Sequence, residues 1–160
     1  MAKAYWNREE ASDFKDGWWH SGDLVKVDED GFYSVVDRKK DMILTGGMNV
    51  SPREVEDVIA AHSAVNLVSV ISVPDEKWGE AVKAIIVLKK GLQATEAEII
   101  NHCKKRLAGY KRPKSVDFIN LSEMPLMGGG YKVLKRELRD RYRREYEKKK
   151  KRKIDRWGAV

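Results

Sequence analysis

Apolar positions along this chain follow two different periods, and the change from one to the other marks out its elements. Leu24–Val27 and Phe32–Val36 are short apolar runs on either side of Asp28-Glu29-Asp30-Gly31. Asp-Gly between such runs predicts a hairpin, because both residues tolerate the positive φ that tight hairpin turns require. Charges then cluster from Asp37 to Asp41, ahead of Met42-Ile43-Leu44 and Gly46-Gly47. At Ser51 the period lengthens. Val55, Val58, Ile59 and His62 stand at i, i+3, i+4 and i+7, a helical stripe, opened by Ser51-Pro52-Arg53-Glu54 as a capping box with proline at the first helical position. Val65–Val73 and Ala81–Leu88 are β-branched runs that predict strands, joined through Pro74–Gly79. Thr95 and Glu98 form a second capping box, whose helix turns Ile99, Ile100, Cys103 and Leu107 inward and is predicted to stop at Gly109. Ser115–Ile119 reads as a further strand, glycines 128–130 as a flexible loop, and a last helix begins near Val133. Strands and helices in alternation, closely connected and without internal repeat, predict an α+β (α/β sandwich) fold.

Composition narrows the class. With 160 residues, 42% hydrophobic and 36% charged, the chain is long enough for one domain with a proper core and is neither collagenous nor disordered throughout. Its longest apolar stretches are a handful of residues, far short of the roughly 20 that a membrane-spanning helix needs. The opening MAKAYWNREE has no apolar run behind its lysine, which predicts no secretory signal and a cytoplasmic location. Cys103, the single cysteine, excludes an intramolecular disulfide framework. Together with the scattered His20, His62 and His102 it argues against a zinc site. Cys103 itself reads as core, and His62 and His102 as ordinary helix residues.

The net charge of +7 is uneven: residues 135–156 carry 13 Lys/Arg against 5 Asp/Glu, and the rest of the chain is close to neutral. Any polyanion-binding role therefore rests on the C-terminal extension.

Five strings carry a resemblance. They are AYWNREEASDFKDGWWHSGDL (4–24), DGFYSVVDRKKDMILTGGMNVSPREVE (30–56), VPDEKWGEAVKAIIV (73–87), RLAGYKRPKSVDF (106–118) and YKVLKREL (131–138). In this order and spacing, across about residues 4–142, the chain resembles the C-terminal part of an AMP-forming acyl-CoA synthetase, in the adenylate-forming superfamily. Such enzymes also carry a Ser/Thr/Gly-rich phosphate loop, which does not occur here; glycines 128–130 are followed by Tyr131-Lys132, not by a Walker Gly-Lys-Ser/Thr. The resemblance therefore implies a C-terminal fragment. Residues 1–37 would be the end of the large AMP-binding domain, 38–41 the hinge, 42–142 a small lid domain and 143–160 a basic tail. Trp18 and Trp19 would then be exposed.

The resemblance also implies roles. Asp23 would accept hydrogen bonds from both ribose hydroxyls of ATP, with Arg38 beside it, although an aspartate before a strand is also an ordinary turn residue. Lys40 would be the hinge. Gly46 and Gly47 would line a pantetheine tunnel or simply form a hairpin turn. Trp78 would stack on pantetheine or adenine, or pack beneath a strand connection. Lys111, with Arg112 and Lys114, would meet CoA phosphates or be a solvated basic loop; Lys83 lies in the same family string as Trp78. Lys132 would be the catalytic lysine, one residue displaced by Tyr131, with Lys135 as the fallback.

The parent would use ATP, Mg2+ and CoA to turn a carboxylic acid into an acyl-adenylate and then a thioester. None of these ligands would be bound stably by this chain alone, which would be inactive without its N-terminal partner domain. Fatty, aromatic and short-chain acids all remain open. The alternatives are a nucleic-acid or anionic-surface binding module acting through the basic tail, and a stand-alone adaptor domain. A tail with few interleaved aromatics and charges around much of the helix favours a solvated helix over specific nucleic-acid binding.

Overall fold

The computed structural model describes residues 14–128 and 132–157. The chain divides into two compact units, one running to Lys40 and the other starting at Asp41. In the first, β1 (Phe14–Lys15) pairs antiparallel with β2 (Trp18–Trp19), and β3 (Asp23–Val27) with β4 (Tyr33–Arg38). The predicted turn between β3 and β4 forms for an identifiable reason: Asp28 Oδ1 accepts from the backbone N–H groups of Asp30 and Phe32, at 3.1 and 2.8 Å. Each hairpin is a two-stranded sheet by itself. Trp18, Trp19, Phe32 and Tyr33 are all exposed, in line with the expectation for the tryptophans.

The second unit is built on one five-stranded sheet. Its elements are β5 (Ile43–Thr45), β6 (Met48–Val50), α1 (Pro52–Ala60), β7 (Val65–Asp75), β8 (Gly79–Leu88), α2 (Glu96–Lys104), β9 (Ser115–Phe118), β10 (Leu126–Met127), β11 (Lys132–Val133) and α3 (Lys135–Trp157). The strand order is β6-β5-β8-β7, with β9 also on β8. β8 is the hub. It runs antiparallel to β7 from Val65↔Leu88 to Asp75↔Gly79, meets β5 at Thr45↔Gly79, and takes β9 in parallel from Lys83↔Ser115 to Ile86↔Phe118. The short pair β10–β11 stands apart from this sheet.

Strand alternation sends side chains to two faces. Val82, Ala84 and Ile86 of β8 join Val70, Val116 and the inner residues of α1 and α2 (Val55, Ile59, Ile99, Cys103) in one buried cluster. Ile85 and Val87 of β8 join Ile71, Met124 and Leu138 of α3 in the other. The sheet is thus sandwiched between α1 and α2 on one side and α3 on the other, as the α+β (α/β sandwich) reading expects.

Three local expectations need correction. α2 ends at Lys104, five residues before Gly109. The chain leaves it in a right-handed turn, with the N–H groups of Arg106 and Leu107 both donating to Cys103 O, so Leu107 reaches the core from outside the helix. Thr95 and Glu98 form the reciprocal capping box, but at α1 the Glu54 carboxylate turns to Lys111 while Ser51 Oγ accepts from Glu54 N. His62 lies just beyond α1, its ring 5.2 Å from that of His102 on α2.

Candidate functional site

In the first unit, a cleft of about 550 Å³ is lined by Trp19, His20, Ser21, Gly22, Asp23, Arg38, Lys39 and Lys40. Asp23 and Arg38 are cross-strand partners of β3 and β4, and Arg38 Nε lies 3.3 Å from Asp23 Oδ1. The two candidate nucleotide contacts and the candidate hinge residue therefore share one wall. Ser21 Oγ accepts from Asp23 N and fixes the approach to β3. Lys40 is exposed in a short 3-10 turn, Lys39–Asp41.

In the second unit, Gly46 and Gly47 are the two-residue turn of the β5–β6 hairpin, both at positive φ (55° and 81°). Gly46 is doubly constrained. Its N–H donates to Trp78 O at 3.0 Å, and a Cβ there would meet the Trp78 ring at 2.7 Å. Asp75 Oδ1, accepting from the N–H groups of Lys77 and Trp78, sets the turn that lays the indole on this glycine. Lys77 and Lys114 bring their ammonium groups to 4.8 and 5.8 Å from the ring centroid. Gly46, Gly47 and Trp78 thus form one small platform with an aromatic surface that is 42% exposed. The hairpin turn and the packed tryptophan are both real features of this fold.

Lys111 ends the short 3-10 turn Gly109–Lys111. Its Nζ donates to both Glu54 carboxylate oxygens, at 2.7 and 2.8 Å, and this bonding raises its pKa above the ordinary lysine value, burial working against it.

The two lysines near α3 differ sharply. Lys132 is exposed on β11, across from Met127. Lys135, in the first turn of α3, is held by Glu56 Oε1 at 2.8 Å, and the same oxygen accepts from Val70 N. The stretch 129–131, with Tyr131, lies outside the described residues, as does the start of the first family string.

The sequence reading missed a half-buried polar network under α3. Lys83 Nζ donates to Asp117 Oδ1 at 2.7 Å and to Ser115 Oγ at 3.2 Å, and Tyr142 Oη donates to Asp117 Oδ2 at 2.6 Å. Burial by itself would raise the Asp117 carboxyl, but hydrogen bonds from Lys83 and Tyr142, with the charges of Lys83 and Arg141, leave it below its ordinary value. Burial, then the Asp117 carboxylate, push the Tyr142 phenol upward. A second long-range pair joins Arg139 Nη1 to Asp41 Oδ1 at 2.7 Å. One signal was available. Lys83 shares a strand face with Ile85 and Val87, and a lysine on a buried face calls for a carboxylate opposite it. Cys103 is fully buried, and burial pushes its thiol pKa up, which leaves it a packing residue.

Residues 54–130 match the AMP-binding enzyme C-terminal domain. The long-chain-fatty-acid–CoA ligase of Salmonella typhimurium is 48% identical over 147 residues, covering 91% of this chain and 26% of the relative. The medium/long-chain-fatty-acid–CoA ligase FadD8 of Mycobacterium tuberculosis is 48% identical over 151 residues, covering 89% and 26%. Among solved structures, ATP-bound MatB from Rhodopseudomonas palustris superimposes with a TM-score of 0.79 at 38% identity, over 90% of this chain and 29% of that one. The stretch that matches the AMP-binding enzyme C-terminal domain lies within the second unit. The chain spans about a quarter of the length of the curated acyl-CoA ligases it matches. No helix among the described residues is long and apolar enough to cross a membrane.

Proposed function

We propose that this chain works as the C-terminal part of an ATP-dependent, AMP-forming acyl-CoA synthetase. In that reading, residues 1–37 complete the large AMP-binding domain, 38–41 are the hinge, 42–142 form the lid and 143–160 a basic tail. The observation that carries the catalytic assignment is the contrast at α3: Lys132 is exposed, whereas Lys135 is held by Glu56.

Adenylation brings an anionic carboxylate against a phosphate that is already negative. The Lys132 ammonium offsets that repulsion where charge crowds in the transition state. Asp23 accepts from the ribose hydroxyls and Arg38 steadies it from the neighbouring strand. Turning the lid about Lys40 then exchanges Lys132 for the Gly46-Gly47-Trp78 platform, whose close backbone and aromatic face suit the narrow pantetheine arm of CoA. Lys111, drawn to Glu54, would have to exchange that partner to meet a CoA phosphate. The names of the relatives favour a fatty acid as the carboxylate. Without a phosphate loop, the chain alone is expected to be inactive.

The test is a comparison of half-reactions in an enzyme that carries this chain as its C-terminal part. Lys132→Ala should lower adenylation by roughly 10²–10³-fold and leave thioester formation from supplied acyl-adenylate near its starting rate. Lys135→Ala should lower stability and spare adenylation. If Lys135→Ala alone abolishes adenylation, the assignment of Lys132 is wrong.

A further inference from the structure

From Arg143 to Arg152 every residue is exposed except Tyr146, which is half-buried. Residues 141–153 contain nine Lys/Arg against Glu145 and Glu147, and from Lys148 to Lys153 every residue is basic. At 3.6 residues per turn, the five residues 148–152 go once round the helix, so this arm is cationic on all sides. Glu145 pairs with Arg141 at 3.6 Å, while Lys148–Arg152 have no ion-pair partner among the described residues. Lys148 and Arg152 are like charges at i, i+4, a spacing that weakens a helix in water. An anionic surface would relieve that repulsion.

We propose that this arm seats the chain on a membrane surface carrying anionic lipid. Five of the six residues 148–153 are lysines, compact hydrated charges suited to diffuse attraction. Nucleic-acid recognition draws on guanidinium forks and on aromatic side chains that stack on bases, and no aromatic residue interrupts 147–153. The proposal rests on the ligase reading in one respect: a long-chain fatty acid partitions into bilayers, so an enzyme that activates it meets its substrate there. Each lysine or arginine near an anionic leaflet raises partitioning about fivefold. With about half of the run facing the lipid at one time, the arm contributes about a hundredfold.

The experiment is vesicle co-sedimentation of the 160-residue chain, without ATP, acid or CoA, so that its outcome is independent of the ligase assignment. Vesicles of equal parts phosphatidylcholine and phosphatidylglycerol should bind the chain at low salt and release it near 1 M salt, where the screening length falls to about 3 Å. Changing Lys148–Lys153 together to glutamine, a good helix former, should weaken this binding about a hundredfold and leave the fold intact by circular dichroism. Equal binding to pure phosphatidylcholine, or binding unchanged by the six substitutions, would overturn the proposal. So would tighter binding to duplex DNA than to the anionic vesicles at the same salt.

Discussion

The two faces of the central sheet are covered by different chemistry. Beneath α1 and α2 the buried cluster is apolar, from Ile43 and Ile59 to Ile99 and Leu107, and polar contacts to the strands come from two backbone N–H groups, of Val70 and Val116, donating to Glu56 and Glu96. Beneath α3 an apolar patch around Ile71, Ile85 and Leu138 is ringed by directional polar contacts: Lys135 to Glu56, Arg139 to Asp41, and Lys83 with Tyr142 on Asp117. Positions 135, 139 and 142 lie on one side of the helix. Hydrocarbon burial is non-directional and supplies bulk stability. Ion pairs in a half-buried setting add little net stability once desolvation is counted, but they penalise any other placement of the helix. The lesson is that α1 and α2 are held chiefly by hydrocarbon, whereas α3 is also held in register by side-chain charge pairs, and α3 begins two residues after Val133, the neighbour of Lys132.

The strongest way to break this comparison is on the hydrocarbon side. Ile59→Ala should cost about 2–5 kcal/mol, because it leaves a cavity in a close-packed cluster. Urea unfolding should show that loss undiminished at every pH tested between about 5 and 9. A loss that changed with pH would mean that charge also matters on this face.

On the α3 side, Lys83→Met should cost about 2–3 kcal/mol, below the ~3–5 of a fully enclosed pair because the Asp117 side chain stays 40% exposed. Adding Asp117→Leu should recover much of it, since two apolar groups leave no stranded charge. Denaturant midpoints for the single and double variants check this, and a double variant worse than the sum would refute the account.

A titration of stability sharpens the contrast further. Asp117 has a folded pKa below its ordinary 3.8, so its contribution is full above that value and lost as pH falls through the folded pKa. Tyr142 has a folded pKa above its ordinary 10.0, so its contribution is full below pH 10 and lost as pH rises through the folded pKa. Tyr142→Phe should flatten the alkaline limb of the profile and leave Ile59→Ala with the same limb as the parent.

The smallest effect is expected at Ser69. Its hydroxyl is fully buried on the α3 face without a hydrogen-bond partner among the described residues. Ser69→Ala should therefore raise stability by up to about 1 kcal/mol, read as a higher denaturant midpoint. A loss of stability there would show that the hydroxyl is satisfied.

What the sequence revealed follows the range of the interactions. Turns and caps depend on residues a few positions apart, and Asp28, Thr95 and the proline at the start of α1 all behave as their spacing implies. The end of α2 was misplaced because Leu107 continues the apolar period after the helix has stopped. The β5–β6 hairpin was left open beside a ligand-lining role, and β10 and β11 were not foreseen, since strands of two or three residues carry too little alternation. For the candidate site, the strings nominate Asp23, Arg38, Gly46, Trp78 and Lys132, but not which of them share a surface. The pair that separates Lys135 from Lys132 joins positions 56 and 135, and no local pattern announces it.

The Arg139–Asp41 pair has a consequence for synthesis. Its two ends are 98 residues apart. At about 5–20 residues per second, a ribosome takes roughly 5–20 s to travel between them. Within that interval β7 and β8 are made and can pair, and α1 and α2 can settle, since all of them precede the final helix in the chain. The other face, with Ile71, Ile85 and Val87, stays bare until the final helix emerges. A nascent chain therefore carries a sticky, half-finished sheet for seconds, and this is the stage at which a chaperone or a neighbouring nascent chain would find it.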